Sequence, residues 1–559
     1  QVPVYRTGDK VCFYAKGAVK FTLEAPRNKP HYSRKINAYS TEGYYFLTEG
    51  GNDLNIETRN KVGNSSINYK DRNTSYDYFY HENELVTPSY SGKDLLGENL
   101  KDNNRFDYKL PGLSPETPIA VNVCLAANLS ASAYVFSALH PAGSVSAPDT
   151  AKFNLSGSKI YVPASVYVSY NTASPIALVT PKTHSESGQI ETSIANSTGP
   201  SNWSRLDYFI LTYLHKNALT DNSTNQLRMG FATMTDTDRI VVNNPTGNIV
   251  VWNIDNEDVP VQYTGSAGTN LNGEKILTIA PGTSTKSSQY VAFDPQSSLM
   301  KITGYENVGN QNIHGLSTPD MVILTNKAFE DQAQRIAKYH ERKDGMTVHV
   351  IDQEQVFNEF SSGTPDAMAV RLMNKMFYDR NNIKYRYFLI LGCGSFDNRG
   401  ITTKKENRII TFESNASNDE DYSYVSDDFF GFLDDNSGTD IPSCQLRLGI
   451  GRMPSANYVE ARSDVDKLLN YVNTPDYGVW RNNAMITADE GNMGLHMIQA
   501  ERVGNLLNGE LATGFVTDKA YVPMYPKATE NSESGVAQVR KTATGSKSHI
   551  IEMLKNGQF

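Results

Sequence analysis

A cysteine stands between two glycines in the segment GCGSFDNRG (392–400), directly after the apolar run YFLIL (387–391). A thiol at the carboxyl end of a buried parallel strand could act as a nucleophile if a histidine base and positively charged surroundings were close. The alternative is that Cys393 is a small, partly buried residue in a tight turn. No histidine is near it in sequence, so the residues alone favour the structural interpretation and leave the catalytic one open.

Two adjacent acids, Asp489 and Glu490, follow the segment NAMITA (483–488) and precede Gly491. A carboxylate at the end of a strand can accept a hydrogen bond from a catalytic histidine and fix the tautomer of that histidine. A solvated acid in a turn, or an acid that caps the next helix, would give the same pattern. Spacing alone leaves these interpretations open.

The stretch NDEDYSYVSDDFFGFLDDNSGTD (418–440) concentrates carboxylates that could bind calcium. Its part DDNSG (434–438) superficially resembles an EF-hand loop, but the glycine comes one position early and no glutamate closes the loop. We therefore expect a solvated acidic loop, with calcium as the alternative. No other cofactor is expected, because no Cys-x-x-Cys or histidine-rich spacing predicts a zinc site.

Alternating strands and helices, which begin after STPD (317–320), must position these residues. The predicted strands are MVILT (321–325), MTVHVI (346–351) and YRYFLILG (385–392), and the predicted helices are KAFEDQAQRIAKYHERKDG (327–345) and TPDAMAVRLMNKMFYDR (364–380). A second unit comprises LRLGIGRMP (446–454), ANYVEARSDVDKLLNYV (456–472), WRNNAMITADEG (480–491), LHMIQAERVGNLLNG (495–509), a helix ended by Gly509, and TGSKSHIIEMLKNG (544–557). This order predicts a parallel sheet with helices packed on it and ligands bound at the carboxyl ends of its strands.

The sequence before about residue 315 instead alternates short β-branched or aromatic runs with turn clusters. Examples are KIYVPASVYVSY (159–170), DRIVVNNPTGNIVVWNI (238–254) and EKILTIAPGT (274–283). We expect sandwich-like or barrel-like β domains here. The segment RLDYFILTYLHKNAL (205–219) is so rich in apolar residues that it could be either a helix or a buried strand.

Composition excludes several classes of function. The net charge of −9 argues against a nucleic-acid partner, and no run of about 18 apolar residues predicts a transmembrane segment. Four scattered cysteines are too few for a disulfide scaffold, whereas 32 tyrosines with many Asn, Ser and Thr are typical of an exported β-rich protein. The histidines in the second half, His340, His349, His496 and His549, lie in predicted helices or strands and form no recognisable catalytic pair with Ser or Cys.

Several motifs in one order resemble the gingipain family of cysteine peptidases. They run from PDMVILTNKAFEDQAQRIAKYHERKDG (319–345) through YFLILGCGSFD (387–397), SDDFFGFLDD (426–435) and LGIGRMP (448–454) to WRNNAMITADEG (480–491). Upstream, INAYSTEGYYFLT (36–48), SRLDYFILTYLHKNAL (204–219) and NVGNQNIHGL (307–316) resemble the PorU-type branch, the C-terminal-signal peptidases and sortases of the type IX secretion system. The resemblance covers nearly the whole chain.

The resemblance implies a caspase-like α/β peptidase domain, incomplete at its C-terminus, behind all-β domains. We expect an N-terminal β domain at 1–130, a second β-rich domain at 131–316, a first α/β peptidase subdomain at 317–465, and the truncated start of a second at 466–559. The resemblance also implies an exported protein at the outer-membrane surface. Its implied partners are exported substrates with C-terminal sorting domains, whose new ends it transfers to lipopolysaccharide, and outer-membrane components of the secretion system.

Relatives use a Cys–His dyad whose two residues would come after Phe559, so this chain alone is expected to be inactive. Asp489 matches the acid that assists the histidine in relatives, and Glu490 is its rival if the alignment shifts by one. Relatives tend to carry an acid in the loop of Cys393, which again favours a structural role for this thiol. Two other functions remain open: a non-catalytic binding or scaffold protein on a degenerate peptidase fold, and a secreted gingipain-like endopeptidase.

Overall fold

The structure, a computed structural model, describes residues 1–555 except 27–28, 49, 88–91, 115–116, 128–133, 143–148, 155–158, 163–164, 169–176, 180–184, 196–203, 220–224, 245, 404–407, 416, 418–422, 439–440, 476, 511–513 and 526–543. The described residues fall into two compact units, Gln1–Val465 and Asp466–Phe559. No helix in these described ranges is both long and apolar enough to span a bilayer.

The strands of the first 300 residues are β1 Val4–Thr7, β2 Lys10–Phe13, β3 Val19–Glu24, β4 His31–Ile36, β5 Glu57–Asn60, β6 Lys70–Arg72, β7 Thr74–Glu82, β8 Arg105–Lys109, β9 Ile119–Ala127, β10 Tyr134–Pro141, β11 Asp149–Asn154, β12 Lys159–Val162, β13 Ser165–Val168, β14 Ala177–Val179, β15 Ser187–Ala195, β16 Ser204–Lys216, β17 Gln226–Phe231, β18 Asp238–Asn243, β19 Val250–Asn253, β20 Val261–Thr264, β21 Ser266–Thr269, β22 Lys275–Ile279 and β23 Ser288–Phe293. Among them is a nine-stranded sheet in the order β14-β9-β16-β7-β17-β23-β19-β20-β5. A four-stranded sheet, β11-β10-β15-β8, contributes Leu139 and Ile190 to the same core as β9 and β16.

Strand β16 resolves the ambiguity of residues 205–219, because it lies inside the nine-stranded sheet between β7 and β9. Its pairing slips between Leu206 and Tyr208, which turns the following side chains over. Phe209 and Leu211 therefore pack in one core cluster, while Tyr208 and Ile210 pack on the opposite face beneath the hairpin β3–β4. Both faces are buried, so the strand lacks the alternation that would have identified it in the sequence.

The remaining elements are β24 Met321–Thr325, α1 Glu330–Lys343, β25 Val348–Asp352, α2 Gln353–Phe360, α3 Ala367–Arg380, β26 Tyr387–Leu391, β27 Phe412–Glu413, β28 Val425–Ser426, β29 Gly449–Met453, α4 Tyr458–Asn473, β30 Asn483–Ala488, α5 Gly491–Asn505, β31 Val516–Tyr521 and α6 Thr544–Lys555. Strands β25-β24-β26-β29 form a sheet in which every pairing is parallel. Its apolar strands and helices α2 and α3 share one core cluster. The predicted class, all-β domains followed by a caspase-like α/β domain, is confirmed.

The second unit contains the parallel pair β30–β31 with α5 and α6. Four details differ from the sequence-based predictions. Strand β29, which was predicted as the first strand of the second unit, pairs with β26 in the sheet of the first unit. Helix α2 was not predicted because its eight residues give too little periodicity, although Asp352 caps its first turn. Strand β31 was also missed, and the regular part of α5 ends at Asn505 rather than Gly509, because the chain continues as a π-helical turn, Leu506–Glu510. The end of TGSKSHIIEMLKNG lies outside the described residues.

Candidate active site

The loop after β26, which carries Cys393, is held by backbone hydrogen bonds on both sides. The N–H groups of Gly392 and Cys393 donate to the carbonyls of Met453 and Ser455, both at 2.9 Å. The Cys393 carbonyl accepts from Ile409 N–H at 2.9 Å, and Gly392 has a φ of 143°, which favours glycine. Cys393 is thus a partly exposed free thiol in a fixed turn. This geometry supports the structural interpretation of Cys393, which stays a prediction.

Asp397 organises the next part of the same loop, a role that sequence reasoning missed. Its carboxylate accepts from the N–H groups of Ile401, Thr402 and Thr403 at 3.0, 2.6 and 2.8 Å, and the residue is 1% exposed. Burial opposes ionisation, but the three N–H donors outweigh it and hold the pKa of Asp397 below its usual value. The buried carboxylate therefore acts as an ionised anchor for residues 397–403.

The anchored loop is also tied to the N-terminal β region, within the first unit. Arg399, whose side chain is 2% exposed, forms a two-point ion pair with Glu84, with one nitrogen–oxygen distance of 2.6 Å. Nearby, Glu413 accepts hydrogen bonds from Gly92 N–H at 3.0 Å and from the Asn398 amide at 2.8 Å. Burial raises the pKa of Glu413 to about 8 against these donors. Long-range polar contacts therefore join Glu84 and Gly92 to the peptidase-like region.

The acidic stretch was the candidate calcium site. Residues 418–422 and 439–440 lie outside the described residues. In the described part, three carboxylates pair with cations: Asp427 with Arg452 at 2.7 Å, Asp434 with Arg447 at 2.7 Å, and Asp435 with Lys375 at 3.0 Å. Across the described chain, no three His, Cys, Asp or Glu side chains converge as a metal site would require. Calcium binding has only its sequence pattern as support, and it stays a prediction.

Asp489 lies directly after β30, and the structure gives it a partner that the sequence analysis did not assign. His496 Nδ1 is 2.6 Å from Asp489 Oδ1, and Gly491 N–H donates to the same oxygen at 2.9 Å. The hydrogen bond from His496 is the largest cause that lowers the pKa of Asp489, followed by the N–H of Gly491. The two side chains are 57% and 45% exposed, so solvent and further groups can reach this pair.

A backbone kink brings His496 onto Asp489. Asn492, Met493 and Gly494 have φ values of 51°, 58° and 85°, so three successive residues at the start of α5 are left-handed. Such conformations are costly for residues other than glycine and are concentrated at functional sites. The kink explains why sequence periodicity, which treated His496 as an ordinary helix residue, did not connect it with an acid seven positions earlier.

The other predicted candidates are Glu490 and the histidines His340, His349 and His549. Glu490 is the residue before α5, yet its side chain makes no capping hydrogen bond to that helix. His340 Nδ1 lies 2.7 Å from Asp344 Oδ2, His349 Nε2 lies 2.9 Å from the Ser317 carbonyl, and His549 contacts Tyr525. None of these contacts tests the assignment of Asp489, which remains a prediction.

Comparison with known proteins gives a consistent result for fold and family. Residues 314–559 match the family model described as peptidase family C25. The chain is similar to the crystal structure of dimeric latent PorU from Porphyromonas gingivalis, with 25% identity and a TM-score of 0.69 over 86% of this chain. It spans only 45% of the length of that protein. No curated protein matches the sequence.

A second solved structure, the Arg-specific cysteine proteinase gingipain R (RgpB), is 18% identical over 38% of this chain and 43% of that chain. Its TM-score of 0.27 is too low to support any structural argument. The structural comparison therefore rests on the similarity to PorU. It extends over both the β region and the peptidase-like region, because it covers 86% of the chain.

Proposed function

We propose that the chain is the N-terminal part of a cysteine endopeptidase and sortase, because residues 314–559 match the model of peptidase family C25, a family of cysteine peptidases. It removes C-terminal sorting domains from exported proteins and attaches the new ends to surface lipopolysaccharide. The observation that carries the proposal is the similarity to PorU over 86% of the chain, which includes the N-terminal β region as well as the peptidase-like region. We place the protein at the cell surface, in a type IX secretion context.

In the proposed reaction, a cysteine thiolate attacks the scissile carbonyl and forms a tetrahedral intermediate. An imidazolium then protonates the departing amine, which leaves an acyl thioester. An amine on a sugar attacks the thioester and gives a proton to the now neutral imidazole, the thiolate leaves, and a new amide bond links the protein to the lipopolysaccharide. Neither the cysteine nor the histidine of this reaction is assigned to a residue of this chain. The described residue that contributes is Asp489, which orients the histidine and stabilises its protonated form.

The position and charge of Asp489 support this role. It follows a parallel strand at its carboxyl end, where α/β folds place their catalytic groups. Its lowered pKa keeps the carboxylate ionised near neutral pH, and an ionised carboxylate is what a protonated imidazole needs as a partner. Its exposure leaves room for a second hydrogen-bond donor.

The test compares cleavage of a sorting-domain fusion with cleavage of generic peptides by the full-length gene product. Cleavage of the fusion alone, with transfer to an amine acceptor, is the expected result. Equal cleavage of both substrates would instead indicate a secreted gingipain-like endopeptidase. Binding of the fusion without cleavage would indicate a non-catalytic protein on a degenerate peptidase fold. The variant Asp489→Asn serves as the control for catalysis that depends on this carboxylate.

A further inference from the structure

The two described donors to Asp489 approach the same oxygen. His496 Nδ1 and Gly491 N–H both bond to Oδ1, at 2.6 and 2.9 Å. Within the described residues, Oδ2 receives no hydrogen bond from either of these groups. A carboxylate oxygen can accept two hydrogen bonds, and neither of these two donors uses the accepting capacity of Oδ2. The pair therefore fixes the orientation of the carboxylate and leaves one oxygen available.

The contact at the other ring nitrogen of His496 indicates which nitrogen of the neutral imidazole carries the proton. Asn492 Nδ2 lies 3.2 Å from His496 Nε2. An amide nitrogen can only donate, so Nε2 must accept, and the single proton of a neutral imidazole then resides on Nδ1. That proton is directed at Asp489. Asn492 thus donates a hydrogen bond to His496, and His496 donates one to Asp489.

Gly491 provides the room for this arrangement. A Cβ atom at position 491 would lie 2.6 Å from both Nδ1 and Cε1 of His496 and 2.9 Å from Asp489 Oδ1. The φ of Gly491 is not among the left-handed values of the chain, so the backbone conformation does not require glycine here. The contact with the imidazole and the carboxylate does require it.

We propose that His496 is a positioning residue: by holding Oδ1 of Asp489, it directs Oδ2 toward the imidazole that acts as the base of the peptidase reaction. This inference rests on the proposed function of Asp489 and adds a residue behind it. Hydrogen-bond partners that orient metal ligands typically contribute a factor of about 10 to 100, and we expect an effect of this size here. Placing the ring there requires left-handed backbone conformations at residues 492–494, which are energetically unfavourable for residues other than glycine.

The test uses the full-length gene product with three variants at one position. His496→Ala is expected to lower kcat for the sorting-domain fusion about 10-fold or more with little change in KM. His496→Asn places an amide donor where Nδ1 stood and is expected to restore most of the activity. His496→Gln places its amide where Nε2 stood and is expected to remain impaired. The matched control is His340→Ala, which removes a His–Asp contact of 2.7 Å at the end of α1 and should behave as the wild type.

The outcomes separate this inference from the proposed function. If Asp489→Asn is impaired but His496→Ala is not, the positioning role is wrong and the role of Asp489 stands. If wild-type protein cleaves the fusion and both variants match it, both assignments fail. If the wild type does not cleave, the imidazole ¹⁵N spectrum of this chain decides: a proton on Nδ1 of His496 that is lost in Asp489→Asn supports the hydrogen-bond chain, and a proton on Nε2 overturns it.

Discussion

Arg399 reaches back 315 residues to form a two-point ion pair with Glu84, and its side chain is 2% exposed. Strand β7 ends just before this glutamate, and strand β26 ends shortly before the arginine. The pair therefore links the loop after β26 to the N-terminal β region. Since both partners are largely removed from water, loss of either one leaves a buried charge without compensation.

The variant Arg399→Met is therefore expected to lower the free energy of unfolding by about 3–5 kcal/mol. Urea denaturation followed by tryptophan fluorescence measures this change. The matched control is Arg239→Met, which breaks an ion pair with Asp71 whose side chains are 32% and 41% exposed. That variant should cost less than about 1 kcal/mol. Equal effects of the two variants would contradict the importance of the buried pair.

Because the pKa of Glu413 is raised, we expect the protein to lose stability as the pH rises from about 4.5 to about 8. Its pKa in the folded protein is about 8, above the usual 4.5, chiefly because of burial, and Lys93 and Asp397 are the charged groups whose fields act on it. The folded state therefore holds a proton that the unfolded state releases, and the stabilisation present below pH 4.5 is lost as the pH rises toward 8. Each unit of difference between the two pKa values corresponds to about 1.4 kcal/mol.

Thermal unfolding measured between pH 5 and 9 tests this expectation. Glu413→Gln keeps a neutral side chain of the same shape and should flatten the decline of Tm with pH. A useful contrast is Glu359→Gln, because hydrogen bonds from Ile313, Gln311 and His314 outweigh burial and lower the pKa of Glu359 to about 2. That variant should reduce Tm throughout this pH range without flattening the decline. An unchanged slope in Glu413→Gln would show that Glu413 is ionised in the folded protein.

The packing around Gly230 leaves no room for a larger side chain at this position of the nine-stranded sheet. A Cβ on this residue of β17 would lie 2.8 Å from Leu23 Cδ2 and even closer to the hydroxyl of Tyr32. Both neighbours are buried, so Gly230→Ala is expected to destabilise the protein by about 1–3 kcal/mol. Gly268→Ala, in β21, has nothing within 4 Å of its added carbon and should be neutral or slightly stabilising. Similar urea midpoints for the two variants would argue against tight packing between β17 and the hairpin β3–β4.

Asp489 and Glu490 can be separated by amide substitution in the full-length gene product. Asp489→Asn keeps the shape of the side chain but removes the charge, and we expect kcat for the sorting-domain fusion to fall about 100-fold or more. Glu490→Gln should retain activity within a factor of about three, since His496 Nδ1 bonds to the carboxylate of Asp489. The reverse pattern would transfer the assisting role to Glu490.

The predictable part of the fold is the part that local patterns determine. The strand predicted at MVILT coincides with β24, and the helix predicted at 364–380 contains α3, because an apolar run and an Asp cap are local signals. Strand β16 was ambiguous because burial on both faces removes its alternation. The contact between His496 and Asp489 was missed because it depends on left-handed backbone at residues 492–494, which no periodicity reveals. The pairing of Arg399 with Glu84 depends on tertiary structure alone.

The strand order of the nine-stranded sheet also determines how long a strand waits for its partner during synthesis on the ribosome. Strand β7 pairs with β16, so that Tyr80 lies opposite Ile210, a residue 130 positions further along the chain. At roughly 5–20 residues per second, a ribosome needs about 7–26 s to synthesise the chain up to that partner. During this interval the tyrosine-rich strand YDYFY (76–80) has no β16 to pair with and exposes an unpaired edge. The nascent chain is therefore vulnerable to aggregation, and in need of a chaperone, between the emergence of β7 and the emergence of β16.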